Sequence, residues 1–184
     1  TTGDFVETMP REQAVVLESY PDVGVRDEDF IVSEVLDELL SGMSSRLFER
    51  VREDAGLAYY VGASRTPGLD AGMFTLYAGT HADAIEQVQA EYAREIERLC
   101  SGQLEEKELL DCRKRLVVQK RQGQQAIGAR AMQAALNALY GLPVNAWREY
   151  PQKLEAVTHE QVTQFARRIF DPAHRLRLIV KPKG

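Results

Sequence analysis

The sequence predicts an α+β fold: a single, mostly antiparallel sheet with helices packed on one of its faces. Three observations carry this expectation. Two alternating segments, at 57–64 and 72–79, flank a run of turn-forming residues, as in an antiparallel hairpin. Apolar residues then recur at helical spacing through successive stretches from Ala82 onward. A strand-like segment, RLRLIV at 175–180, follows an Asp-Pro stop and closes the chain.

Taken in order, residues 1–11 read as a leading segment and residues 12–184 as one domain. The stretch QAVVLESY at 13–20 reads as a strand that Pro21 ends. A polar turn runs on to Asp29. Phe30, Ile31, Val35, Leu36, Leu39 and Leu40 then place an amphipathic helix over 27–41, and Ser41-Gly42 breaks it. Ser44 or Ser45 can cap the next helix, whose apolar face is Leu47, Phe48 and Val51. Gly56 ends that helix, since glycine takes the left-handed backbone of a helix C-terminus without steric cost.

The hairpin loop reads TPGLDAG at 66–72. Beyond it, Ile85, Val88, Tyr92, Ile96 and Leu99 mark a helix. Further helices cover 104–121 and an alanine-rich 125–140, the latter stopped by Gly141-Leu142-Pro143. Thr158-His159-Glu160-Gln161 fits a capping box, and Val157 with Val162 fits a hydrophobic staple around it.

Composition narrows the function classes. Hydrophobic residues at 44% and charged residues at 28% match an ordinary globular chain and argue against disorder. The net charge of −5, with signs interspersed, offers no basic stripe for a nucleic acid. No apolar run approaches the roughly 20 residues that cross a bilayer. We therefore expect a soluble piece of a longer protein, since the chain opens Thr-Thr-Gly-Asp without Met or a signal-like segment. Its compartment stays open.

The sequence carries no motif of a self-contained catalytic device. Cys100 and Cys112 form neither a CxxC pair nor a metal cluster and read as part-buried free thiols. His81, His159 and His174 are mutually remote, and neither HExxH nor HxxEH occurs. His159 belongs to the first turn of a helix. GxSxG, Walker and GxGxxG motifs are also missing.

One stretch stands apart: GMSSRLFERVREDAGLAYYV at 42–61. A capped helix ends at a glycine and drops into a strand. Arg52 lies near the helix end and Tyr59 in the strand. A helix-Gly-strand reversal can bring such a pair to one end of a sheet. A guanidinium beside a phenol can bind a peptide carbonyl or carboxylate, or donate to the oxyanion formed when water attacks an amide. The plainer alternative is a solvated Arg52 paired with Glu49 and a Tyr59 on half-buried sheet surface. Strand alternation sends Tyr59 and Tyr60 to opposite faces, so only one of them can join Arg52.

These residues resemble the signature of the C-terminal, zinc-free domains of the insulinase/pitrilysin/mitochondrial-processing-peptidase metallopeptidases. The shared pattern is S-R-L-F, then R-E, then G-L-A-Y. LEAVTHEQVTQFARRIF at 154–170, with DPAHRLRLIV after it, resembles the family's terminal helix and last strand. The likeness spans about 12–182.

The resemblance implies a half-domain of the processing-peptidase type. Its partner is a homologous half, on the same chain or a separate subunit, that supplies HxxEH and zinc. Arg52 and Tyr59 would bind peptide and stabilise the transition state, Tyr59 at the carbonyl and Arg52 at the substrate backbone. Ser45, Arg46 and Gly56 match the pattern as structural residues. No cofactor is expected in this chain; peptide is the expected ligand, nucleic acid and membrane are not, and self-association stays open. The other reading is a catalytically silent assembly domain of the same fold.

Overall fold

The computed structural model describes residues 2–42 and 45–183, with Asp54 as backbone alone. Five strands form one sheet: β1 (Gly3–Met9), β2 (Ala14–Val23), β3 (Ala58–Pro67), β4 (Ala71–Thr80) and β5 (Leu176–Pro182). Their spatial order is β1-β5-β2-β4-β3. β2 runs antiparallel to both β4 and β5, β3 runs antiparallel to β4, and β1 alone pairs in parallel, with β5. The sheet is thus mostly antiparallel, as its sequence suggests.

Two of the expectations change here. Residues 1–11 are not a tail: Gly3–Met9 is an edge strand in register with Leu176–Pro182. Nor does Pro21 end β2, which continues to Val23. β5 pairs with β2 only from Val15 to Ser19, so one side of β2 is open at Pro21 and the missing N–H costs no ladder bond there.

The alternation of β2 sorts its two faces. Ala14, Val16, Glu18, Tyr20 and Asp22 are buried, and so are their β4 neighbours Phe74, Leu76, Ala78 and Thr80. This face meets α1 (Phe30–Leu40), α3 (Ile85–Cys100) and α7 (His159–Ile169). Val35, Leu36, Leu40, Val88, Tyr92, Leu99, Val162, Phe165 and Ala166 fill the layer between. The two carboxylates on this face are neutralised locally. Arg177 donates twice to Glu18 at 3.0 Å, and Asp22 accepts from Arg65 at 2.8 Å and from the Ser33 hydroxyl at 2.7 Å.

The opposite face carries no helix of this chain among the described residues. Val15, Leu17, Tyr77, Leu176, Leu178 and Val180 are only half-buried there, and Phe5 and Tyr60 are exposed. Two tyrosines pave it beside glycines. A Cβ on Gly79 would lie 2.2 Å from the Tyr60 ring, and one on Gly62 3.0 Å from the Tyr77 hydroxyl. The register pairs Tyr60 with Gly79 and Gly62 with Tyr77, so each ring covers its neighbour's bare backbone.

The remaining helices are α2 (Arg46–Phe48), α4 (Glu106–Gly123), α5 (Ile127–Leu139) and α6 (Tyr150–Glu155). α6 is absent from the sequence reading; Pro151 in its first turn is the signal that marks it. α4 packs on α1 and α6. α5 stands apart, with Asn137 its one buried residue and Ile127, Met132 and Leu139 exposed at 82%, 62% and 75%. The capping box at Thr158 forms as expected. Thr158 N–H donates to Gln161 at 2.8 Å, Gln161 N–H donates to Thr158 at 3.2 Å, and Val157 and Val162 are both buried beside it.

Candidate functional site

Residues 45–60 carry the candidate pair. Ser45 is the helix cap: its hydroxyl accepts from the Phe48 N–H at 3.1 Å and donates to the Gly42 carbonyl at 2.9 Å. The other candidate cap, Ser44, lies outside the described residues. Arg46 reaches Glu108 at 3.0 Å and also bonds Glu105, which ties α2 to α4. Ser45 and Arg46 are therefore structural, in keeping with their expected roles.

The expected regular helix has a different form. After Arg46–Phe48 the backbone widens into a π-helical segment, Glu49–Asp54, and Ala55 N–H bonds the Arg50 carbonyl at 3.2 Å. Leu57 N–H reaches back to Val51 at 2.8 Å, and Gly56 at φ +59° makes the reversal. Such segments are uncommon and concentrate at functional sites. Arg52 is exposed on this segment, its guanidinium 5.1 Å from the Phe48 ring centroid. Among the described residues it makes no ion pair, and the expected partner Glu49 does not engage it.

A β-bulge sets Tyr59. Ala58 pairs with Thr80 and Tyr60 with Gly79, so Tyr59 is the extra residue with no partner across the ladder. The alternation expected from sequence therefore fails. Tyr59 and Tyr60 are both exposed, at 46% and 42%. The Tyr59 hydroxyl lies 3.3 Å from His81 Nδ1, with the rings tilted and their centroids 4.9 Å apart. No hydrogen bond joins Arg52 to Tyr59 among the described residues; Arg52 sits on the segment entering β3 and Tyr59 at its bulge. His81, a residue with no role in the sequence reading, is the polar neighbour of Tyr59. Its position directly after an alternating strand was the available signal.

The strand ends around this site are pinned. The buried Thr80 hydroxyl donates to the Leu57 carbonyl, closing β4 onto the segment that enters β3. β3 is an edge strand, so its outer N–H and C=O groups face no neighbour in the sheet.

The described residues offer no grouped ligand set for a metal: no three His, Cys, Asp or Glu side chains among them gather as ligands. His81 faces Tyr59, and His174 lies 3.3 Å from Asp171 at a 3₁₀ turn. The thiols are no better suited to chemistry. Cys112 is buried, and burial pushes it up to about 12; burial also raises Cys100.

Fold and site together define an α+β half-domain with an exposed Arg52 on the segment entering β3 and an exposed Tyr59 at its bulge. Residues 1–116 match the model of the peptidase M16 inactive domain, and the chain belongs to that family. An uncharacterised zinc protease of Rickettsia bellii is 33% identical over 130 residues, covering 70% of this chain and 31% of the relative. The uncharacterised zinc protease YmxG of Bacillus subtilis is 32% identical over 151 residues, covering 82% and 37%. The chain thus spans about a third of the length of these curated relatives. A protease from Helicobacter pylori superposes with a TM-score of 0.89 at 18% identity, covering 98% of this chain and 44% of that one. The chain is an inactive M16-type C-terminal domain of the zinc protease family. No helix among the described residues is long and apolar enough to cross a membrane.

Proposed function

We propose that this domain is the peptide-gripping half of a two-part zinc endopeptidase. A homologous half of the parent protein would supply HxxEH and zinc. The observation that carries the reading is the bulge at Tyr59. It turns a tyrosine out of the sheet at the mouth of an edge strand, just after the π-helical segment that presents Arg52. In this role the Tyr59 O–H donates to the scissile carbonyl as it gains negative charge. Arg52, with no carboxylate partner among the described residues, orients the peptide backbone. The outer edge of β3 offers ladder hydrogen bonds to an extended peptide.

Two surfaces support a docked homologous half. The helix-free face of the sheet and the exposed apolar side chains of α5 both lack a partner within the described residues. Surfaces of this kind mark interaction sites.

The test is peptide hydrolysis by the zinc-loaded parent protein, wild type against Tyr59→Phe. The variant removes one hydroxyl from an exposed ring. A fall in kcat of about 10²-fold or more, as for a lost oxyanion donor, supports the reading. An inactive parent, or equal rates, points instead to a silent assembly domain that keeps the fold.

A further inference from the structure

The geometry points to His81 as a positioning residue for Tyr59, a role that rests on the peptide-gripping reading above. His81 Nδ1 is 3.3 Å from the Tyr59 hydroxyl, and the rings lie against each other at 4.9 Å. Tyr59 needs such a partner more than an ordinary strand residue does. As the extra residue of a bulge it has no neighbour across the ladder to fix its side chain.

His81 is itself well placed to serve. The residue before it, Thr80, is fully buried and bonded to Leu57. Its own carbonyl accepts from the Ala84 N–H at 3.1 Å, so the backbone is held on both sides of the imidazole.

The chemistry selects one tautomer. A phenol has a single O–H. If Nδ1 accepts that hydrogen, Tyr59 has none left for a substrate oxygen. If Nδ1 carries a hydrogen and donates, the phenol oxygen accepts and its O–H remains available. The second arrangement links N–H, O–H and substrate oxygen in one chain, and each bond polarises the next. The imidazole is thus a donor at Nδ1, and it both aims Tyr59 and strengthens it as a donor. It touches no reacting atom.

The experiment uses the full-length zinc-loaded parent and a quenched-fluorescence peptide library. His81→Ala, His81→Asn, Tyr59→Phe and the double variant Tyr59→Phe/His81→Ala are compared. His81→Ala should lower kcat about tenfold with KM nearly unchanged, because the loss falls on a transition-state contact. His81→Asn carries an amide N–H close to the position of Nδ1 and should restore most of the rate. In the Tyr59→Phe background, His81→Ala should cost nothing further, since its effect runs through the hydroxyl. Nitrogen NMR should find His81 as the Nδ1–H tautomer in the wild type. Equal loss from His81→Ala in both backgrounds, no rescue by Asn, or an Nε2–H tautomer overturns the positioning role. An undiminished His81→Ala beside an impaired Tyr59→Phe sinks this inference alone. An undiminished Tyr59→Phe sinks the gripping reading and this inference with it. Thermal unfolding of each variant separates a rate loss from a loss of fold.

Discussion

Arg65 lies within β3 and Arg52 on the segment that leads into it, yet their surroundings are opposite. The Arg65 side chain is 6% exposed, bonds a fully buried Asp22 at 2.8 Å and lies 4.5 Å from the Phe30 ring centroid. Arg52 is exposed, rests on Phe48 and has no ion pair among the described residues. A buried guanidinium must be compensated where it lies, or its desolvation unfolds the region. A guanidinium left in water without a carboxylate is under no such constraint and remains available to a ligand. The pair teaches that burial together with charge partners, and not residue type, separates a structural arginine from a candidate binding one.

The comparison can be broken most directly at Arg65. Arg65→Ala leaves Asp22 buried without its cation and should cost about 3–5 kcal/mol in urea unfolding. A smaller cost would mean that Asp22 finds another donor and that the ion pair is not what ties β3 to β2.

A pH effect sharpens the same picture. Burial raises Asp37 from the ordinary 3.8 to about 6, and the opposing pull of Arg65 does not cancel it. A carboxyl raised on folding stabilises fully below its unfolded value, and that contribution is lost as pH climbs through the folded one. Asp37 therefore makes stability decline between about pH 3.8 and about 6. Asp37→Asn should remove that decline and raise the melting temperature at pH 7. An unchanged pH–stability curve would place the Asp37 carboxylate in water.

The smallest effect is expected at Arg52. Arg52→Ala should change stability by no more than about 0.5 kcal/mol, as for an exposed side chain outside any network. The same variant should raise KM for peptide in the parent protein. A large loss of stability would recast Arg52 as a structural residue held by Phe48.

Local chemistry was legible in the sequence wherever a few neighbouring residues decide the outcome. The Thr158–Gln161 capping box, the Ser45 cap, the Gly56 reversal and the β3–β4 hairpin are all of this kind. Arg52 and Tyr59 were readable as candidates, because a helix-Gly-strand reversal is a local pattern too. Features set by distant partners were not. β1 is exposed along its length, so it has no buried face to give it a pattern, and only its pairing with β5 makes it a strand. Pro21 stays in β2 because β5 stops short of it, which no window around Pro21 can reveal. The bulge at Tyr59 and the π-helical turn before it depend on register, and periodicity assumes that register is regular.

The parallel pairing of β1 with β5 has a consequence for how the chain folds. It joins Gly3 to Leu176 and Met9 to Pro182, the greatest sequence separation of any ladder in the sheet. Contacts of such long range close late, since the chain between them must already be ordered. β1 buries none of its residues, so it is held by its ladder and by the Arg175 and Arg177 pairs to Asp4, with no core packing of its own. Such a strand joins last and opens first. In hydrogen exchange its amides should therefore report local opening of the β5 edge, while the β2–β4 ladder reports unfolding of the whole domain.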